Sequence, residues 1–311
     1  MPLGDDPVVP RDRGPDHIDA PPLLIAVPNV SEGRDRDVLE RLEESVGRAR
    51  VLDVHIDPDH NRGVFTLAGR QGDLAEGLLG LAQAAVEHVD LRSHEGVHPH
   101  VGALDVMPVV WLDEERRGPA SAEALTAAAL VGERAGLPVF LYGDLATRPE
   151  HTERAWLRRG GPVGLAERLE SGELVPDYGP QRAHPSAGAV LATARRPLVA
   201  FNVDLVSDDV ELARSIAAEL RESGGGLPGV RALGLYLADR GRAQVSTNVH
   251  AHLAVPLAEF VERVRARAPV AEAALIGLAP RAAFDGFPED VALHGFIPER
   301  HILEEALAVL H

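Results

Sequence analysis

The 311-residue chain contains no cysteine. Disulfides, thiolate nucleophiles and cysteine-ligated zinc or iron–sulfur centres are therefore excluded. Lysine is missing as well: all 31 basic side chains are arginine. Without a lysine there is no Schiff base for pyridoxal-type catalysis and no P-loop ammonium. No apolar run is long enough to span a bilayer. Positive charge is in short supply, with 48 acidic side chains giving a formal charge of −17. Such a chain repels nucleic acid and anionic membranes at long range, and an anionic small ligand needs local arginines to overcome that field. Residues 1–21 are rich in Pro, Asp and Arg and lack the apolar stretch of a secretory signal. They read as a disordered tail, which makes the cytoplasm the expected location.

What remains is enough for a sizeable core, since 45% of residues are hydrophobic. The most informative stretch is Arg92-Ser93-His94-Glu95-Gly96-Val97-His98-Pro99-His100-Val101-Gly102-Ala103-Leu104-Asp105. Glycine and proline at this density exclude a continuous helix. Strand-forming residues follow at once, so a shaped loop feeds a buried strand. Catalytic side chains concentrate on such loops, and histidine titrates where proton transfer at neutral pH requires it. The plainer reading is a turn whose histidines decorate the surface.

Along the chain, Leu23 to Val27 predicts a first strand. A helix follows with Val38, Leu39, Leu42 and Val46 on one face. Ser31 is placed to cap it or, equally, to face a ligand. Val51 to Ile56 and Val64 to Leu67 predict two strands around the polar turn His55-Ile56-Asp57-Pro58-Asp59-His60-Asn61-Arg62. A second helix carries Leu74, Leu78, Leu81, Ala82, Ala85 and Val89, and Leu104 to Trp111 supplies the next strand. A third helix over 121–135, a strand over 138–142 and a charged helical stretch over 148–174 come next. Residues 176–188 form a long Pro/Gly-rich loop, of a length that is more often functional than a simple connection. A domain boundary is expected near Arg195-Arg196-Pro197. From Leu198 the order βαββαβ returns. The predicted fold is therefore α+β: two pseudo-repeated βαββαβ (ferredoxin-like) sandwiches, over 22–196 and 197–311, each with helices on one sheet face. Their open faces would enclose a ligand cleft where the histidine loop, the Asp57 turn and the loop Gly179–Gly188 converge. A last helix over 298–310 packs onto the body or onto a partner subunit.

Several segments, taken in order, resemble the glutamate formimidoyltransferases. They are Val27-Pro28-Asn29-Val30-Ser31-Glu32-Gly33, Asn61-Arg62, His98-Pro99, Gly102-Ala103-Leu104-Asp105-Val106 and Pro138-Val139-Phe140-Leu141-Tyr142-Gly143. Pro176-Asp177-Tyr178-Gly179-Pro180, Ala200-Phe201-Asn202 and Ala243-Gln244-Val245-Ser246-Thr247-Asn248 continue the pattern. The resemblance runs from about Leu23 to Pro280, and no stretch resembles the cyclodeaminase domain of the fused animal enzymes. It implies two α/β subdomains around a substrate cleft, commonly in a homodimer. It implies transfer of a formimidoyl group between N5 of tetrahydrofolate, the co-substrate, and the amine of L-glutamate, as in histidine breakdown. The family's catalytic histidine precedes the proline of the His-Pro pair, which gives His98. Its folate-binding loop matches Gly179, Pro180, Gln181, Arg182, Ala183, His184, Pro185, Ser186, Ala187 and Gly188.

The implied chemistry suits these residue types. An ammonium cannot attack carbon, so the amine must first lose a proton, and a neutral His98 can take it and later return one to the leaving nitrogen. Because the transferred amidine is cationic, a nearby carboxylate helps more than an oxyanion hole. Asp57 is one such carboxylate, or simply a turn aspartate. Arg62 and Arg182 fit bidentate binding of substrate carboxylates, or solvated surface charge. Three other readings stay open at this stage. In the first, the folate chemistry serves a different acceptor amine. The protein is otherwise a non-catalytic folate-binding module. Or His55, Asp57, Asp59, His60, His94, His98 and His100 form the metal set of a hydrolase, although no metal motif of known spacing is present.

Overall fold

The computed structural model describes residues 21–310, and the tail expected over residues 1–21 lies outside it except for Pro21. In the first half, β1 (Leu23–Ala26) and β2 (Asn29–Val30) are two pieces of one strand. Both pair antiparallel with the same neighbours. Pro28, with no N–H to give the ladder, sits at the break, and its carbonyl accepts from Phe65 N at 3.0 Å. α1 (Arg36–Glu44) follows, then β3 (Arg50–Asp57), β4 (Arg62–Arg70), α2 (Asp73–His88) and β5 (Leu104–Val110). The helix cap is Asp35, which accepts from Asp37 N and Val38 N at 3.0 and 3.1 Å. Ser31 neither caps nor faces a ligand: its hydroxyl donates to Gly102 O at 2.8 Å and ties β2 to the stem of the histidine loop.

Beyond β5 the structure departs from a simple sandwich. α3 (Arg117–Leu130), β6 (Val139–Leu141), α4 (Arg154–Leu157) and α5 (Gly161–Glu170) lead into β7 (Val190–Arg195). β7 inserts between β5 and β6 and runs parallel to both. The first sheet is thus mixed, in the order β3-β4-β1/β2-β5-β7-β6. Helices cover both faces at that end, not one as expected. Val190, Ala192 and Ala194 join Met107, Val109 and the alanines of α3 in one core. Leu191 and Phe140, pointing the other way by strand alternation, pack on Leu157, Leu165 and Leu169 of α4 and α5.

The second sheet follows the predicted element order: β8 (Val199–Leu205), α6 (Val210–Leu220), β9 (Val230–Leu237), β10 (Arg242–Val249), α7 (Leu257–Arg265) and β11 (Val270–Ile276). It is antiparallel in the order β11-β8-β10-β9. Val199, Phe201, Val203 and Leu205 turn toward α6 and α7. Alternate residues Ala200 and Asn202 of β8, with Ser246 and Asn248 of β10, face the first sheet instead. The chain is therefore α+β with two sheets. Its last helix is split into α8 (Pro298–His301) and α9 (Leu303–Ala308) by an extended Ile302 that bridges to Ala279. It packs back on the body, with Leu303 against Ile25 and Val110. Among the described residues no helix is long and apolar enough to cross a membrane.

Candidate active site

Between the two sheets lies a cavity of about 740 Å³, within the usual size of a small-molecule site. Its floor is the helix-free face of β1 to β5, its roof the open face of the second sheet. β3 ends in the turn from Asp57 to Asn61, and β4 begins at Arg62, so the pairing Asp57↔Arg62 brings the polar turn to the cavity's edge. Asn61 holds that turn with a positive φ of 45°, a conformation asparagine tolerates better than other side chains. Its Oδ1 accepts from Gly33 N at 2.9 Å and its Nδ2 donates to Glu95 O at 3.2 Å, which fastens the histidine loop to the turn.

Only one histidine of that loop reaches the cavity. His98 lines it, whereas His94 and His100 do not. Those two pack on each other edge to face, 4.4 Å between ring centroids. Nδ1 of His98 lies 2.8 Å from Pro99 O and 3.1 Å from Arg62 Nη1. The carbonyl needs a proton on Nδ1 and the guanidinium needs a lone pair there, so the two contacts belong to different tautomers. With Nδ1–H on Pro99 O, Nε2 is left unprotonated as a base. Burial, and then the charges of Arg62 and Arg158, hold the ring's pKa well below the ordinary histidine value. His98 is thus neutral at physiological pH.

Below it Asp105, fully buried at the start of β5, is the hub. Its Oδ2 accepts from Arg62 Nη1 at 3.0 Å and from Arg158 Nη2. Its Oδ1 accepts from Val101 N at 2.9 Å, fixing the loop's backbone. Burial alone would raise this carboxyl, but the two guanidinium groups outweigh it and hold it low. Arg62 completes its set on Asn29, with Nη2 and Nε at 2.6 and 3.1 Å from Oδ1. Neither the surface charge nor the free carboxylate binder expected from sequence, Arg62 is committed to the frame and flanks His98.

Asp57 also lines the cavity, but its oxygens are taken. Oδ2 lies 2.8 Å from His60 Nδ1, and Oδ1 accepts from His60 N at 2.9 Å. Burial would raise its pKa; the His60 bonds and Arg240 outweigh that and bring it to about 2. It is the turn aspartate, held against the cavity wall with His60, whose ring centroid is 6.2 Å from that of His98. His55, on the same wall, is pushed down to about 4 chiefly by burial.

The loop Gly179–Gly188 does not converge on this cavity: none of its ten residues lines it. Instead its end forms a ladder with the stem of the histidine loop. Leu91 N donates to Ser186 O at 2.8 Å, Ala103 N to Ala187 O at 2.9 Å, and Ala189 N to Val101 O at 3.0 Å. Gly102 must be glycine, because a Cβ there would overlap the Ala189 carbonyl. Gly179, Pro180, Gln181, Arg182, Ala183 and His184 lie farther out. Gln181 Nε2 donates to Leu169 O and Leu174 O at 3.1 and 2.6 Å, and Arg182 is exposed. Among the described residues no three His, Asp or Glu side chains gather as a metal set.

Other wall residues were not singled out as site residues. Arg154, Arg158, Arg195 and Arg231 make the cavity locally cationic within an acidic protein. Arg154 opens α4 and Arg158 is its C-cap, four positions on, in a stretch that the sequence presented as one more charged helix. Asn29, Asn202, Ser246 and Asn248 supply hydrogen-bonding groups, and they stand in motifs that carried the resemblance. Thr66 Oγ1 is buried on the floor with no partner among the described residues.

Comparison with known sequences agrees with this layout. Residues 23–195 match the profile of the formiminotransferase domain, N-terminal subdomain, and residues 200–286 that of the formiminotransferase domain. The chain is 36% identical over 295 residues to the glutamate formimidoyltransferase of Streptococcus pyogenes serotype M1, covering 90% of this chain and 99% of that protein. It is 35% identical over 297 residues to the glutamate formimidoyltransferase of Thermoplasma acidophilum, covering 92% and 97%. With the formimidoyltransferase-cyclodeaminase of Sus scrofa, identity is 38% over 279 residues, and the match spans 84% of this chain but 51% of that protein.

Proposed function

Since the chain belongs to the formiminotransferase family and is a transferase, we propose that it moves a formimidoyl group between N5 of tetrahydrofolate and the amine of L-glutamate. The observation that carries this reading is His98: a histidine held neutral at the cavity wall, its Nδ1 2.8 Å from Pro99 O, the shorter of its two contacts and the one made by the tautomer that leaves Nε2 free as a base. Nε2 takes the proton that makes the amine nucleophilic and returns one to the leaving nitrogen. Arg62 and Asp105 hold the ring's surroundings rather than the substrate. The cationic wall of Arg154 and Arg195 suits carboxylates, which both co-substrates carry; Arg231 on the same wall is paired with Glu153 at 2.7 Å.

Support for folate as the occupant comes from the cavity's volume of about 740 Å³, its apolar strip from Ile25 to Leu278, and the Thr66 hydroxyl, which has no partner among the described residues. When bound, it supplies the nitrogen that accepts or gives up the one-carbon unit. We further propose that the two halves, 22–196 and 197–311, are pseudo-repeats of ferredoxin-like type enclosing this ligand cleft, the βαββαβ unit of the first being β1 to β5 and that of the second β8 to β11. The loop Gly179–Gly188 is proposed to touch only the part of folate that extends beyond the cavity, through Gln181 and Arg182. Ala183 packs on the same cluster as Leu157 of α4, which places the loop behind that wall. A homodimer acting in the cytoplasm, in histidine degradation, completes the proposal.

The test is direct: purified protein, N-formimidoyl-L-glutamate and tetrahydrofolate. Formation of 5-formimidoyltetrahydrofolate with release of glutamate is expected. Folate binding without turnover would redirect the reading to another amine or to a binding role. Absence of both would remove it.

A further inference from the structure

The first sheet's polar turn does not stand alone. The hairpin joining β9 and β10, which carries Asp239, Arg240 and Gly241, is docked on it. Asp239 N donates to Asp59 Oδ1 at 3.0 Å. Arg240 places Nε 3.3 Å from Asp59 Oδ2, Nη1 3.3 Å from Asp204 Oδ2 and Nη2 3.7 Å from Asp57 Oδ2. All three carboxylates are buried, at 2% to 8% exposure. They come from two sheets: Asp57 and Asp59 from the first, Asp204 from β8 of the second. Gln244 Nε2 donates to the other oxygen of Asp204 at 2.7 Å, so that Asp204 is aimed at Arg240.

Three buried carboxylates around one guanidinium are a poor way to gain stability, because desolvating charges cancels most of their attraction. The arrangement calls for a second reason, and Asp57 supplies it. The oxygen that Arg240 approaches is the one bound to His60 Nδ1, and the His60 ring stands next to His98. Resting on the transfer reaction proposed above, we propose that Arg240 is a positioning residue: through Asp57 it sets the place and charge of the Asp57–His60 pair beside His98. The proton-transfer end of the site is then complete only when the second half of the chain is docked on the first.

The charged groups facing this centre are Asp57, Asp59 and Asp204 around Arg240, with His60 and His55 on the first sheet and His301 on α8. His55 reads the local field: burial lowers its pKa most, Asp57 raises it, and His301, His60 and Arg240 lower it further. Removing the Arg240 charge is therefore expected to move its titration upward, whatever reaction the protein performs.

The experiment compares wild type, Arg240→Gln, Arg240→Lys and, as a control, Arg242→Gln. Arg242 is on the same hairpin but pairs with Glu272 at 3.2 Å, within the second sheet. Steady-state transfer is measured together with the His55 titration by NMR, the resonance being assigned with His55→Gln. In Arg240→Gln, kcat is expected to fall roughly 10- to 100-fold with KM within about threefold, the size of effect that follows a small misplacement of a reacting group. The His55 midpoint is expected to move up from about 4. Arg240→Lys restores the charge, so it should return the His55 midpoint and recover most of kcat; Arg242→Gln should match wild type. Wild-type kcat in Arg240→Gln, a loss confined to KM, or an unmoved His55 midpoint would each overturn the proposal. If wild type itself shows no transfer, the functional reading fails, and the His55 titration alone decides whether Arg240 sets the charge of this centre.

Discussion

Substituting Asp105 by Asn tests whether the frame under His98 is electrostatic. Asparagine keeps the shape and an oxygen for Val101 N, so the loop backbone need not move. What disappears is the one negative charge shared by Arg62 and Arg158, whose side chains are 9% and 11% exposed. Breaking one buried ion pair while leaving its partner in place costs about 3–5 kcal/mol. Two guanidinium groups lose a partner here, but Arg62 retains Asn29, so about 4 kcal/mol is a reasonable total. For a chain of this size that lowers the melting temperature by roughly 8–16 °C. The assay is thermal unfolding followed by circular dichroism or calorimetry at pH 7. A double variant, Asp105→Asn with Arg158→Met, removes one stranded charge and should recover part of the loss, because a neutral pair of similar volume tolerates burial. A single variant melting within about 2 °C of wild type would refute the reasoning, as would a double variant less stable by the sum of the two single losses.

Four further outcomes are expected. His98→Ala should abolish transfer and leave equilibrium folate binding largely intact; near-wild-type turnover would take His98 out of the mechanism. Because His98 is held low by burial and by Arg62 and Arg158, it stays neutral as pH falls through the ordinary histidine range. A profile of kcat/KM should accordingly stay flat between about pH 7.5 and 6.5, where an unperturbed histidine base would already be losing activity. Asp57, lowered from 3.8 to about 2, contributes stability that is present above its unfolded pKa and lost as pH falls through its folded one. The shift corresponds to roughly 2 kcal/mol, so chemical denaturation of wild type and Asp57→Asn should differ at pH 6 and draw together toward pH 2. Arg182→Ala should weaken folate binding at low salt only modestly; an unchanged dissociation constant would confine the loop Gly179–Gly188 to supporting the histidine loop.

Legibility followed the physics of each segment. α1, α2, α6 and α7 declared themselves through apolar spacing because each buries one face only. The strands of the second sheet alternate for the same reason. β7 stayed hidden because Val190–Arg195 is a short, almost wholly buried run with few large apolar side chains, and it emerges directly from a Pro/Gly-rich loop. His98 was singled out by its His-Pro setting. That His94 and His100 turn away was unreadable, since spacings of four and two residues from His98 on an irregular loop fix no direction. Arg240 read as an ordinary hairpin residue, because the carboxylates it meets are 36 to 183 positions distant or on another sheet, and no local pattern reports such a meeting. Arg154 and Arg158 were visible as an i, i+4 pair, but charge spacing alone does not say whether a helix face looks at water or into a cavity.

The insertion of β7 also imposes a schedule on synthesis. Val110 ends β5 and Val190 begins the strand that must lie beside it. At bacterial and eukaryotic translation speeds, the roughly 80 residues between them take on the order of 4–16 s to emerge. Until they do, β5 presents an open apolar edge, β6 has no neighbour, and the stem at Gly102 lacks its backbone partners from Ser186 to Ala189. The nascent chain thus waits with a half-made sheet and an unshaped histidine loop. The stretch most exposed to misassociation during manufacture is the one that later carries His98.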